Sequence, residues 1–211
     1  ALKCIMMLFL EIKIFTTYSM GENIYVLIEK DHAAIVDPGG NYEEISSFLK
    51  DNHYVLDYIL LTHGHADHIG ALNPLKEEFG AEVIAHIEEK ELLETPEMNL
   101  SGRGASGIKV YPDRFVSEGD ELEFQENKIH FIHTPGHTAG SMLILIGDKM
   151  FSGDMLFKGT VGRSDLPTSD PSAMEESIQK LLDMDFDYKV FPGHGEATTL
   201  MHEKKYNAYL K

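Results

Sequence analysis

The feature that most limits what this chain can become is a turn of six residues. A short apolar run, Tyr58-Ile59-Leu60-Leu61, has the look of a buried strand and stops at Thr62; His63-Gly64-His65-Ala66-Asp67-His68 follows. In an extended chain, residues two apart project to the same face, so His63 and His65 can grip one ion together. Gly64 and Ala66 are small and let the backbone come close. Where the chain turns into a helix, Asp67 and His68 can swing toward a second ion. Imidazole and carboxylate are ligands that borderline divalent metals accept. At this chain's own composition the pattern His-x-His-x-Asp-His arises by chance in about one such sequence in 500. A polar loop with fortuitous histidines is therefore a poor account of it.

Three later turns share its grammar of strand, small-residue turn and ligand-type side chain: Thr134-Pro135-Gly136-His137, Ser152-Gly153-Asp154 and Phe191-Pro192-Gly193-His194. Each alone is weak. Together, four strand ends present histidine or aspartate, which turn chemistry does not demand, and in open α/β sheets sites gather at strand ends. The other histidines read differently. His32, His53 and His202 are expected at the surface, and His86 and His130 are expected to pack rather than ligate. His133 could orient a ligand from behind.

The periodicity predicts strands at 8–15, 24–29, 33–36, 58–61, 83–85, 128–133, 141–146, 149–152 and 188–191. Helices are expected after Asn41 as cap, from Asp67–His68 to Phe79 with a kink or early break at Pro74, at 88–93, after Asp170-Pro171, and from Met201 to Leu210. Residues 95–118 read as a long loop. Strands and helices alternate through both halves, which predicts an α/β fold with one domain over 1–211, made of two packed βα halves. The alternation at 8–14 favours a first strand over a secretory leader, and a cytoplasmic home follows.

Composition excludes several functions. Lys plus Arg is 18 against 35 Asp plus Glu, a net charge of −17 that repels polyphosphates, so no nucleic-acid or membrane partner is expected. One cysteine, Cys4, precludes an internal disulfide and a thiolate zinc site.

These turns, in this order from about residue 17 to 196, resemble the metallo-β-lactamase-fold hydrolases. The resemblance implies a four-layer αβ/βα sandwich (α+β by some schemes) with a dinuclear centre at one edge of the sheets. Carried over by position, His63, His65 and His137 would hold one metal, Asp67, His68 and His194 the other, and Asp154 would bridge them. Zinc-dependent β-lactamases commonly have cysteine where this chain has Asp154. Aspartate there, with His133-Thr134-Pro135-Gly136-His137-Thr138 and the loop from Phe157 to Pro167, is similar to the short glyoxalase II-like (hydroxyacylglutathione hydrolase-like) branch. Arg163 matches a basic residue that touches glutathione in the longer glyoxalase II enzymes. Asp165 falls about where those enzymes offer an aromatic, and their helical C-terminal domain is not expected here, so the thiol carrier stays open.

The resemblance implies a metal-dependent hydrolase whose bridging hydroxide, oriented by Asp67, cleaves a small-molecule thioester or related ester. Two divalent ions are expected, zinc by default, with iron or manganese accepting the same ligands. Two alternatives of the same fold remain: a lactonase, and a persulfide dioxygenase with one iron on His63, His137 and Asp154.

Overall fold

The computed structural model describes residues 10–102 and 107–211. The stretch 1–9, including the start of the expected strand 8–15, lies outside them. The chain first forms β1 (Glu11–Thr16), β2 (Asn23–Glu29) and β3 (His32–Val36), then α1 (Tyr42–Asp51), β4 (Val55–Leu60), α2 (Ala66–Ile69), α3 (Leu72–Phe79) and β5 (Glu82–His86). A 3-10 turn at Ile87–Glu89, α4 (Lys90–Glu94) and β6 (Arg114–Val116) complete the first half. The second half contains β7 (Glu121–Phe124), β8 (Asn127–His133), β9 (Met142–Ile146), β10 (Lys149–Gly153), the small pair β11 (Leu156–Phe157) and β12 (Thr160–Val161), α5 (Pro171–Asp183), β13 (Lys189–Pro192), β14 (Thr198–Thr199) and α6 (Leu200–Tyr206).

Two six-stranded sheets result, in the orders β1-β2-β3-β4-β5-β6 and β14-β13-β10-β9-β8-β7. In the first, β3 to β6 run parallel, with α1 and α3 in the crossovers. In the second, β10 and β13 run parallel across α5. Strand β2 shows why the layers form: all seven of its residues are buried. Ile24, Val26 and Ile28 enter a core shared with Ile45 and Leu49 of α1 and Leu72 and Leu75 of α3. Tyr25 and Leu27 face the other way, toward Phe124, Phe131, Ile144 and Phe151 of the second sheet. That sheet's outer face packs Leu143, Leu145 and Val190 on Met174 and Leu181 of α5. Each fully buried Leu, Ile or Phe contributes about 1.5–3 kcal/mol, so three contiguous cores hold a helix–sheet–sheet–helix stack. The expected α/β class and four layers are present.

Several local expectations change. The helix expected over 67–79 breaks at Gly70-Ala71, where a Cβ on Gly70 would sit 2.3 Å from the Gly39 carbonyl oxygen. Pro74 then falls in the first turn of α3, where its missing N–H costs no helical bond. Asn41 does precede α1 but lies at φ 56° and makes no side-chain cap bond; its amide donates to Glu44 instead (2.8 Å). Asp170 caps α5 as expected, accepting from the Ser172 and Ala173 amides at 2.8 and 3.2 Å. Residues 95–118 are not all loop, since β6 adds to the first sheet beside β5. Strand β7 went unread because its Glu-Leu-Glu-Phe alternation is only four residues long. The last helix ends at Tyr206. Among the described residues no helix is long and apolar enough to cross a membrane.

Candidate metal centre

The turns after β3, β4, β8, β10 and β13 meet at one edge of the two sheets. Backbone bonds across the halves fix their relation: the Met142 amide donates to the Thr62 carbonyl (2.9 Å) and the Asn23 amide to that of Gly193 (2.7 Å). Small residues make the approach possible. A Cβ on Gly64 would lie 2.6 Å from a Leu93 methyl of α4. One on Gly193 would lie 2.5 Å from Asp154 Oδ1 and 2.7 Å from His68 Cε1, inside the cluster itself.

All seven expected residues come together. His63, His65, His68 and His137 are buried; Asp67, Asp154 and His194 are half-buried. Three sets each place one ligand-type atom per residue within 4.8 Å of the others: His63, His65 and His137; Asp67, His68 and His194; and Asp37, His63 and His68. Asp154 stands between the first two. Its Oδ2 is 3.5 Å from His137 Nε2, and its Oδ1 is 3.4 Å from His68 Nε2 and 3.7 Å from His194 Nε2. Asp67 Oδ2 is 3.3 Å from His194 Nε2.

The rings are aimed from behind. His137 Nδ1 donates to the Arg163 carbonyl (2.9 Å), His68 Nδ1 to Asp37 Oδ2 (3.0 Å), and His63 Nδ1 faces the Thr62 hydroxyl (3.2 Å), which itself donates to Asp37. With Nδ1 the donor, Nε2 is left as a lone pair toward the centre. Accordingly the Nε2 atoms of His63 and His68, and Asp154 Oδ1, are buried without a hydrogen-bond partner. His65 Nδ1 and His137 Nε2 face one another at 3.0 Å. Buried polar atoms ordinarily find partners, and a nitrogen and oxygen donor set free of thiolates suits divalent cations. The residues fit a metal.

Charge follows the same geometry. Burial, then the neighbouring imidazoles, hold His63 far below the usual range and push His65 down to about 3. Burial also opposes charge on His68, but Asp154 and Asp37 on either side outweigh it and hold His68 well above the usual range. His194 is raised, chiefly by its bond to Asp67. Burial works to raise Asp67, yet His194 and His68 hold it below the carboxylate range.

Arg163 is at the mouth of a cleft of about 330 Å³ that opens over the cluster between Met20, Leu100 and Leu166. Its guanidinium is paired with Asp165 at 2.7 and 3.1 Å, and its carbonyl is what orients His137. His133 does not support His137: it stacks on His86 (ring centroids 3.9 Å apart) and its Nε2 donates to the Ala139 carbonyl (2.8 Å). His86 packs as expected, while His130 is an exposed partner of Glu121 (3.2 Å). The sequence did not reveal Asp37, which reads as part of an Asp-Pro-Gly-Gly turn, nor Glu22 and Glu89. Burial pushes Glu22 up to about 9 beside the cluster, and Glu89 up to about 7 beneath it. Asp37 is marked out by its hydrogen bonds to the Thr62 amide and to His68 Nδ1, contacts that exist in the folded chain alone.

Comparison with known proteins agrees with this geometry. The family model of the metallo-β-lactamase superfamily matches residues 19–194. Hydroxyacylglutathione hydrolase GloC of Haemophilus influenzae is 37% identical over 188 residues, covering 86% of this chain and 89% of that protein. The BLEG-1 B3 metallo-β-lactamase crystal structure superposes with a TM-score of 0.88 at 33% identity, over 95% of this chain and all (100%) of that one. TTHA1623, crystallised in a di-iron-bound form, does so with a TM-score of 0.82 at 33% identity, over 94% and 100%. With the family model covering most of its length and its turns gathered at the sheet edge, this chain belongs to the metallo-β-lactamase superfamily.

Proposed function

We propose that this metallo-hydrolase is a thioesterase of the glyoxalase II-like kind, built on two divalent ions. His63, His65 and His137 would hold one ion and Asp67, His68 and His194 the other, with Asp154 standing between the two sets. The observation that carries the reading is the division of Asp154, one oxygen toward His137 and the other toward His68 and His194. GloC, by its name a hydroxyacylglutathione hydrolase, points the substrate toward a thioester. The metal stays open between zinc and iron, since the similar TTHA1623 was crystallised with two irons.

Two bound ions would polarise a thioester carbonyl and lower the pKa of a shared water toward about 7. Asp67, kept ionised by His194, accepts a hydrogen bond from the attacking water and aims it at the carbonyl carbon. A thiolate leaves with little help from an acid, which suits a cleft whose other walls are Met20, Leu100 and Leu166. Arg163 is the cation at the mouth of that cleft, positioned for a carboxylate on the substrate once Asp165 releases it. A small-molecule substrate and a cytoplasmic site of action belong to this reading, and residues 1–211 would act as one domain. A persulfide dioxygenase with one iron on His63, His137 and Asp154 leaves Asp67, His68 and His194 without employment.

The test is elemental analysis of freshly purified protein beside a panel of thioesters, lactones, β-lactams and persulfides. Two ions per chain and chelator-sensitive thioester turnover are expected. In Asp154→Ala, metal content and turnover should fall together; two retained ions at full rate would defeat the bridging assignment. Oxygen uptake with a persulfide would replace the reading with the dioxygenase.

A further inference from the structure

Glu89 lies in the 3-10 turn after β5 and is 1% exposed. Its Oε1 accepts from the Gly64 amide (2.7 Å); its Oε2 accepts from the Thr138 hydroxyl (3.0 Å) and the Gly140 amide (2.8 Å). Gly64 is the residue between His63 and His65, and Thr138 follows His137. These two turns belong to different halves of the fold, and one carboxylate grips both. The approach is close: a Cβ on Gly140 would lie 2.5 Å from the Glu89 amide nitrogen and 2.7 Å from Oε2. None of the hydrogen bonds made by the Glu89 carboxylate goes to an imidazole.

We infer that Glu89 is a positioning residue that sets the spacing of the His63, His65 and His137 rings across the junction of the two halves. The inference rests on the metal reading above. A carboxylate alone can do this, because both of its oxygens accept and their separation is rigid. A glutamine of the same size must turn an N–H toward either Gly64 or the Thr138–Gly140 pair, so one turn is pushed off. His68 and His194 are held by other groups: His68 Nδ1 donates to Asp37 (3.0 Å), and the Asn23 side-chain amide donates to the Pro192 and Gly195 carbonyls on either side of His194 (3.2 and 2.9 Å).

The experiment titrates zinc into the ion-free full chain against a chromophoric chelator, for wild type, Glu89→Gln, Thr138→Val and Glu29→Gln. Glu29 is the comparator: it is also buried and also ties the halves, accepting from Asn127 Nδ2 (2.5 Å), but at the opposite end of β2. For Glu89→Gln, one of the two ions should bind about 10–100-fold more weakly while the other keeps its affinity. Thr138→Val, which removes a single donor, should show a smaller loss at the same ion and decides the matter if Glu89→Gln does not fold. Cobalt in place of zinc should show a changed absorption band for the weakened site alone. Glu29→Gln should lower Tm with zinc affinity unchanged. Wild-type affinity for both ions in the Glu89 and Thr138 variants, or an equal loss in Glu29→Gln, overturns the inference while leaving the metal reading intact. A wild-type chain that takes up no ion overturns both.

Discussion

Asp37→Asn isolates how the protein aims its imidazoles. The carboxylate accepts three hydrogen bonds: Oδ1 from the Thr62 amide (2.7 Å), Oδ2 from the Thr62 hydroxyl and from His68 Nδ1 (3.0 Å). Asparagine has nearly the same shape and tolerates the positive φ of this position, so the backbone is not the issue. The amide has two choices. If its oxygen stays with the Thr62 amide, its NH₂ faces His68 Nδ1, which must then accept, and the His68 proton moves to Nε2. The Thr62 hydroxyl, now receiving an N–H, turns its own proton toward His63 Nδ1 and reverses that ring too. If the amide flips, both rings keep their tautomers but two buried N–H groups collide, at about 1–3 kcal/mol. Either route weakens ion binding by about the same amount, since a lost orienting partner ordinarily costs about 10–100-fold in metal affinity. Chelator-competition titration of wild type and variant at one pH reads this directly. In the ion-free protein, NMR should also show His68 titrating at lower pH, having lost one of the two carboxylates that raise it. Affinities within twofold of wild type, with His68 unmoved, would refute the tautomer argument.

Two further perturbations probe the fold around the site. Gly193→Ala places a methyl 2.5 Å from Asp154 Oδ1 and 2.7 Å from His68 Cε1, neither of which can retreat, so metal content should collapse and stability fall by about 1–3 kcal/mol in urea melts; normal metal content would show that the edge is not packed as described. His86 is lowered to about 4 by burial and then by His133, so the unfolded chain binds its proton first as pH falls. Its stabilisation is complete above pH 6.5 and fades toward pH 4 by about 3 kcal/mol, and His86→Gln should therefore lose less stability than wild type between pH 7 and pH 4.5; parallel losses would place the acid sensitivity elsewhere.

Much of this protein is legible without its structure. The His63 to His68 turn, the three Gly-bearing turns that repeat its pattern and the apolar runs before them carry both the α/β class and the identity of the converging side chains, because strand periodicity and ligand chemistry are local properties. Short elements escaped: four alternating residues at β7 and three at β6 bury too little surface to announce themselves and exist because a neighbouring strand offers its edge.

Partnership was beyond the sequence's reach. That Asp37 stands behind His68, that a main-chain oxygen of Arg163 orients His137, and that Glu89 clasps both turns depend on contacts across 25 to 51 positions, among groups whose types suit many other uses. His133 is the converse case, near His137 in the chain yet turned toward His86 by the packing of the two sheets. Residue type and spacing determined which atoms are able to bind a cation. Only the docking of the two sheets decided which nitrogen of each ring faces inward, because a tautomer is set by whatever lies on the ring's far side.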